Sequence, residues 1–183
     1  MPYPKFDYTL DYPNLDLRKH PELYRVGIGE QGVLSVEPYK SEILPYWRFK
    51  TEEVAEESAK KIYELFLEYK KVRDFVGMDM ARKFLQMGYT RARRYANHKS
   101  GRKYSEEDKQ EQPETIPETP PYKTQKNRDH HVKKRIKKVR PQEEDALTGE
   151  KARAARVFYG YYVRAREDEE YKRRRKEWRE TYG

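Results

Sequence analysis

From Thr51 to Val72 the apolar residues Val54, Ala55, Ala59, Ile62, Leu65, Phe66, Tyr69 and Val72 recur at spacings of three and four. That period places them along one side of an α-helix, which must then be covered by another element. Thr51 offers a side-chain oxygen as N-cap, and Glu52 and Glu53 fall in the first turn, where the helix dipole favours acids. A second helix is expected to start at Asp74, with Met78, Ala81, Leu85, Gly88, Ala92 and Tyr95 as its buried stripe. Glycine weakens a helix, so Gly88 on that stripe points to close approach of a neighbour. A third helix is expected from about Thr148, with Ala152, Ala155, Phe158, Tyr159, Tyr162 and Ala165 on one face. Asp168 can cap a short continuation carrying Tyr171, Trp178 and Tyr182.

The first fifty residues read differently. Residues 1–22 look extended, anchored by Phe6, Tyr8, Leu10, Tyr12, Leu15 and Leu17. Leu23–Val26 and Val33–Val36 are short β-prone runs with a glycine-rich connection, which predicts a hairpin. The expected fold is therefore α+β: one small domain with a short β-hairpin packed on three to four helices. Residues 1–104 would supply the extended segment, hairpin and two helices, and residues 148–183 a helix or helix pair on the same domain. Between them, residues 105–147 hold five prolines and few apolar side chains. Such a segment cannot offset its ordering entropy, so a disordered insert is expected.

Only 35% of the 183 residues are apolar and 40% are charged, which limits the chain to one small core. There is no cysteine, so disulfides and thiolate chemistry are excluded. No apolar run approaches the roughly 20 residues of a membrane span, and Met1–Lys5 lacks the apolar segment of a secretory signal. These features predict an intracellular, cytoplasmic protein with no membrane partner, or a nuclear one if the source is eukaryotic.

The formal net charge is +9, and it is concentrated. Residues 73–104 carry +7 and residues 123–140 carry +8, with −5 on the stretch between them. In the first block no acid follows Asp79 until Glu106, whereas solvated helix faces usually mix signs. Arg82, Arg91, Arg93, Arg94, His98, Lys99, Arg102 and Lys103 are the expected phosphate-binding residues, because guanidinium groups grip phosphate bidentately. In the second block Lys133, Lys134 and Arg135 open a basic run that reads as a nucleic-acid tail, a nuclear import signal or a solubilising linker. Most of the 17 tyrosines are expected in the core. Tyr24, Tyr39, Trp47 and Tyr89 are the candidates for stacking on bases. The leading expectation is sequence-tolerant binding of nucleic acid, DNA or RNA, without a cofactor.

Two other classes remain open. Glu30 and Glu37 with Lys40 could hold a divalent ion and activate water, as in a metal-dependent nuclease or a base-processing enzyme. Against this, the Glu37-x-x-Lys40 spacing is one residue longer than the Glu-x-Lys of common metal nucleases, and no regular histidine spacing is present. Alternatively, the tyrosine-rich N-terminal surface could dock on a protein partner, with oligomeric state open. The Gly27-x-Gly29-x-x-Gly32 run fits a dinucleotide fingerprint in letters only, since a β-prone segment follows it where that fingerprint needs a helix.

Several blocks carry a resemblance: DLRKHPELYRVG at 16–27, GEQGVL at 29–34, EPYK at 37–40, WRFK at 47–50, AREDEEY at 165–171 and the long GMDMARKFLQMGYTRARRYANHKSGRKY at 77–104. In these the chain resembles domain of unknown function 4385, a family of bacterial, phage and fungal proteins. The resemblance covers residues 6–104 and about 148–183, and it implies no activity.

Overall fold

The structure, a computed structural model, describes residues 6–105 and 138–182. Helix α1 spans Tyr39–Ile43, α2 Glu52–Lys71, α3 Phe75–Asn97, α4 Glu150–Glu167 and α5 Glu169–Tyr182. The three long helices α2, α3 and α4 pack on one another, and α5 lies against α3 and α4. Each expected cap is formed. Thr51 Oγ1 accepts from the Val54 N–H at 3.2 Å, Asp74 Oδ1 from Gly77 at 3.0 Å, and Asp168 Oδ1 from Tyr171 at 3.0 Å.

The α2 stripe is buried at Ala55, Ala59, Ile62, Phe66 and Tyr69, while Val72 at the exit is exposed. On α3 burial extends from Phe75 to Leu85 on every side, because α2 covers one flank, α4 another, and the N-terminal segment a third. The core side chains Ile62, Phe66, Phe84, Leu85 and Phe158 are fully shielded from water, each contributing about 1.5–3 kcal/mol. Gly88 is the contact point between α3 and α4: a Cβ built there would lie 2.2 Å from Phe158. The missing side chain lets the aromatic ring reach the α3 backbone.

The α+β expectation is overturned. The protein is mostly helical, and no hairpin forms among the described residues. Strand-like pairing there is limited to two isolated bridges, Asp16 with Glu37 and Tyr104 with Val139. Residues 28–36 instead close a series of local turns, with the N–H groups of Gln31, Val33 and Ser35 each bonded three residues back. Two tertiary contacts favour the turns. Gly32 sits at φ +81 with its α-carbon pressed against the Phe6 ring, a backbone geometry that glycine adopts cheaply. The Gly29 and Gln31 carbonyls accept from Arg82 and Lys83 of α3, so they are not offered to a partner strand. The β-prone residues serve as core filling: Val26, Val33 and Val36 are all buried.

Of the segment expected as an insert, residues 106–137 lie outside the described residues. The return from residue 138 is held to the α3 exit. Arg140 N–H donates to the Lys103 carbonyl and Glu143 N–H to the Asn97 carbonyl. Helix α4 is then tied to the start of α2 by Lys151, which donates to the Phe49 and Lys50 carbonyls, and by the Arg153–Glu52 pair at 2.8 Å. No helix among the described residues is long and apolar enough to cross a membrane.

Candidate functional site

Asp79 on α3 is fully buried, and a carboxylate there must be neutralised locally. Four side chains do this. The phenols of Tyr24 and Tyr171 donate to Oδ2 and Oδ1 respectively, Arg82 reaches Oδ1 at 3.0 Å through Nη2, and Lys83 Nζ lies 3.3 Å from Oδ2. Lys83 also donates to the Tyr24 oxygen and the Gln31 carbonyl, both at 2.8 Å. Burial alone would raise the Asp79 carboxyl, but the charges of Lys83 and Arg82 and the two phenols outweigh it and hold it well below the usual carboxylate range. Burial pushes the Lys83 ammonium down to about 8, against the pull of Asp79. This knot joins the N-terminal segment, α3 and α5. Its members are closed to solvent apart from the edge of Arg82, so the knot organises the site and only that edge can meet a ligand.

Two cation-lined concavities open on α3. The first lies at the α3 exit, about 670 Å³ in volume, and is lined by Tyr89, Thr90, Arg93, Arg94, Asn97, His98, Gly101, Lys103 and Tyr104. No carboxylate is among them. Arg94 is exposed, and among the described residues no carboxylate lies within ion-pair distance of Arg91 or Arg94. Lys99 comes only to 4.0 Å from Glu143. The second cleft, about 630 Å³, lies between α3 and the α4–α5 joint, with Arg82, Arg166, Lys172, Arg175, Lys176 and Arg179 around it.

The residues singled out from the sequence are therefore sorted. Arg93, Arg94, His98, Lys103 and Tyr89 meet at the first groove, whereas Arg82 belongs to the buried knot and faces the second cleft. Arg93 donates to the Ala146 carbonyl at 2.7 Å and to Asn97, and His98 Nδ1 lies 3.1 Å from the Pro141 carbonyl. Both thus also fasten the returning chain. Arg102 and Lys103 are exposed at the rim. Lys133, Lys134 and Arg135 lie outside the described residues.

The stacking candidates need correction. Tyr24 and Tyr39 are 1% exposed, Tyr24 because its hydroxyl serves Asp79 and Tyr39 because its hydroxyl serves Asp74 at 2.8 Å. Their rings are core and cannot take a base. Trp47 is half-buried against Phe49, and Tyr89 packs 5.0 Å from Tyr159 with part of its ring exposed. Tyr104, 43% exposed at the groove, offers a more open ring than any of the four.

Glu30 and Glu37 are not brought to a common centre. Glu30 accepts from the Thr90 hydroxyl at 2.6 Å, while Glu37 pairs with Lys40 at 2.5 Å and accepts from the Ser41 N–H. Each anchors a different element. No group of three or more His, Asp or Glu residues able to hold a metal occurs among the described residues.

The α5 cations were not among the residues expected from the sequence because residues 141–183 balance at +1, which hid their placement. Lys172, Arg175, Lys176 and Arg179 stand at i, i+3, i+4 and i+7, one helical face, and that spacing is the signal that could have found them.

A small helical protein, knotted by a buried carboxylate and opening two cation-lined concavities, is the class that this architecture defines. The chain belongs to the family described as Domain of unknown function (DUF4385), whose model matches residues 7–181. Comparison with curated proteins and with solved structures gave no match.

Proposed function

We propose that the protein binds nucleic acid with little sequence preference, through phosphate contacts at the α3 exit groove. The observation that carries this reading is the groove wall itself: among the described residues it holds arginine, lysine and histidine with two tyrosines and no carboxylate. Cations left without internal counter-charge keep their field for an external polyanion. Exposed tyrosine rings beside them suit bases that are unstacked. The +8 stretch at 123–140 adds long-range attraction by its charge alone. Readout of base edges would require side chains fitted to a duplex groove, and nothing in this groove favours that.

The test is a titration with single-stranded and duplex oligonucleotides at several salt concentrations, comparing wild type with Arg94→Ala/Lys103→Ala. Removing one phosphate-binding cation flattens the dependence of log affinity on log salt by about 0.9 for duplex or about 0.7 for single strands. A weaker, flatter titration in the double variant is the expected result. Equal affinity and equal slope in the two proteins would remove these residues from any interface.

A further inference from the structure

We infer that the cleft between α3 and the α4–α5 joint is a second, separate site for a compact ligand carrying two or three linked phosphoryl groups. Six cations surround it, and among the described residues the only carboxylate in its wall is Glu180, 3.9 Å from Lys176. The acids that pair with Arg166 and Lys172, namely Glu167 and Glu169, are outside the wall. Among the described residues Arg82 pairs with Asp79, Arg166 with Glu167, Lys172 with Glu169 and Lys176 with Glu180. Six cations against these four acids leave the cleft net positive, which favours a polyanion.

Three features distinguish this cleft from a merely basic surface. First, its floor is pre-organised: Arg82 is held by Asp79, the Gln86 side chain at 2.7 Å and the Gly29 carbonyl at 3.3 Å. A ligand meeting it has no side-chain entropy to remove. Second, the Arg175 Nε is buried and has no hydrogen-bond partner among the described residues, which is uncommon for a charged donor. Third, the orientation of α5 is fixed at both ends, by Tyr171 on Asp79 and by Trp178, whose indole N–H donates to the Tyr24 carbonyl at 3.1 Å. The cation row from Lys172 to Arg179 therefore faces the cleft as a rigid edge about 10 Å long. A linked di- or triphosphoryl group can meet several of these cations together, where a single phosphate meets fewer. The volume, about 630 Å³, falls within the usual size of a small-molecule site. A free nucleotide and an inorganic polyphosphate share this chemistry.

The experiment is calorimetric titration of the full chain with inorganic tripolyphosphate, with ATP and with inorganic phosphate, in low salt. Tripolyphosphate is expected to bind saturably and more tightly than phosphate, and to raise the melting temperature by mass action. Arg175→Gln/Lys176→Gln is expected to weaken it about tenfold or more, since hydrogen bonds to charged groups are each worth about that factor. ATP tighter than tripolyphosphate would identify a nucleotide as the ligand, and equal binding would identify the phosphate chain itself. Circular dichroism and the melting temperature of the unliganded variant check that it folds. Arg94→Ala/Lys103→Ala should leave tripolyphosphate binding unchanged, which keeps this site distinguishable from the exit groove. Three results would overturn the inference: no saturable binding, binding no tighter than that of phosphate, or a cleft variant that binds as wild type does.

Discussion

Tyr171 donates its phenolic proton to Asp79 across 2.6 Å, although the two residues are 92 positions apart in the chain. That bond is what places α5, a helix with few apolar residues, against α3. Besides it, the Tyr171 ring stacks on Phe75, Trp178 packs 4.9 Å from the same ring, and the Trp178 indole N–H donates to the Tyr24 carbonyl. The docking of α5 thus rests on a buried polar network, which is sensitive to the loss of any single member.

Removing members of that network should therefore cost unequal amounts. Tyr171→Phe deletes one donor to a buried carboxylate and is expected to destabilise by about 1.5–3 kcal/mol. Asp79→Ala strips the counter-charge from Arg82 and Lys83 together, and about 3–5 kcal/mol is expected. Urea denaturation of both variants checks the order; Tyr171→Phe at least as damaging as Asp79→Ala would contradict the arrangement described.

The helical glycines Gly88 and Gly160 should respond in opposite directions to alanine. At Gly88 the added methyl meets the Phe158 ring at 2.2 Å, and overpacking of that kind costs about 1–3 kcal/mol. At Gly160 an added methyl meets no other described residue within 4 Å, so the gain in helix propensity, about 0.5–1 kcal/mol, should appear as added stability. Thermal melts of the two variants beside wild type read both signs.

Acid should destabilise the fold. The Glu42 carboxyl is lowered by hydrogen bonds from Arg18 and, against burial, from Tyr69. Asp168 is raised by burial but lowered further by Lys70, 2.6 Å away. Both groups have folded pKa values below their unfolded ones, so their contribution is complete above the unfolded values, near 4, and is lost as pH falls below them. The melting temperature is expected to drop between pH 5 and pH 3, with a shallower drop in Glu42→Gln. An identical pH profile in that variant would show that the Arg18–Glu42 pair carries none of the effect.

Neighbouring arginines should separate stability from binding. Arg93 fastens the Ala146 carbonyl, so Arg93→Ala is expected to lower the melting temperature. Arg94 is exposed and makes no such bond among the described residues, so Arg94→Ala should keep the melting temperature within a degree or two and weaken oligonucleotide binding. Melting curves and one binding titration for each variant decide the matter, and the reverse pattern would exchange their roles.

The long helices were legible in the sequence because their signals are local. Caps at Thr51, Asp74 and Asp168 act within three residues, and the apolar stripes repeat with the helical period. Gly88 could even be read as a point of close helix approach. The expected hairpin does not form because β-propensity at Val26, Val33 and Val36 reports only that a residue suits a packed surface, and the packed surface here is a helix. Whether the Gly29 and Gln31 carbonyls face a strand or Arg82 and Lys83 depends on where α3 lies.

The sequence by itself determined the helical segments, the small core and the concentration of positive charge between residues 73 and 104, since each follows from composition and short-range spacing. Tertiary structure alone decided which cations are spent on internal partners and which line a cavity. Charge in a sequence has a position but no counter-ion: Asp79 claims Arg82 and Lys83 because Tyr24 and Tyr171 close over it, and the α5 cations converge because that same knot sets the angle of the helix.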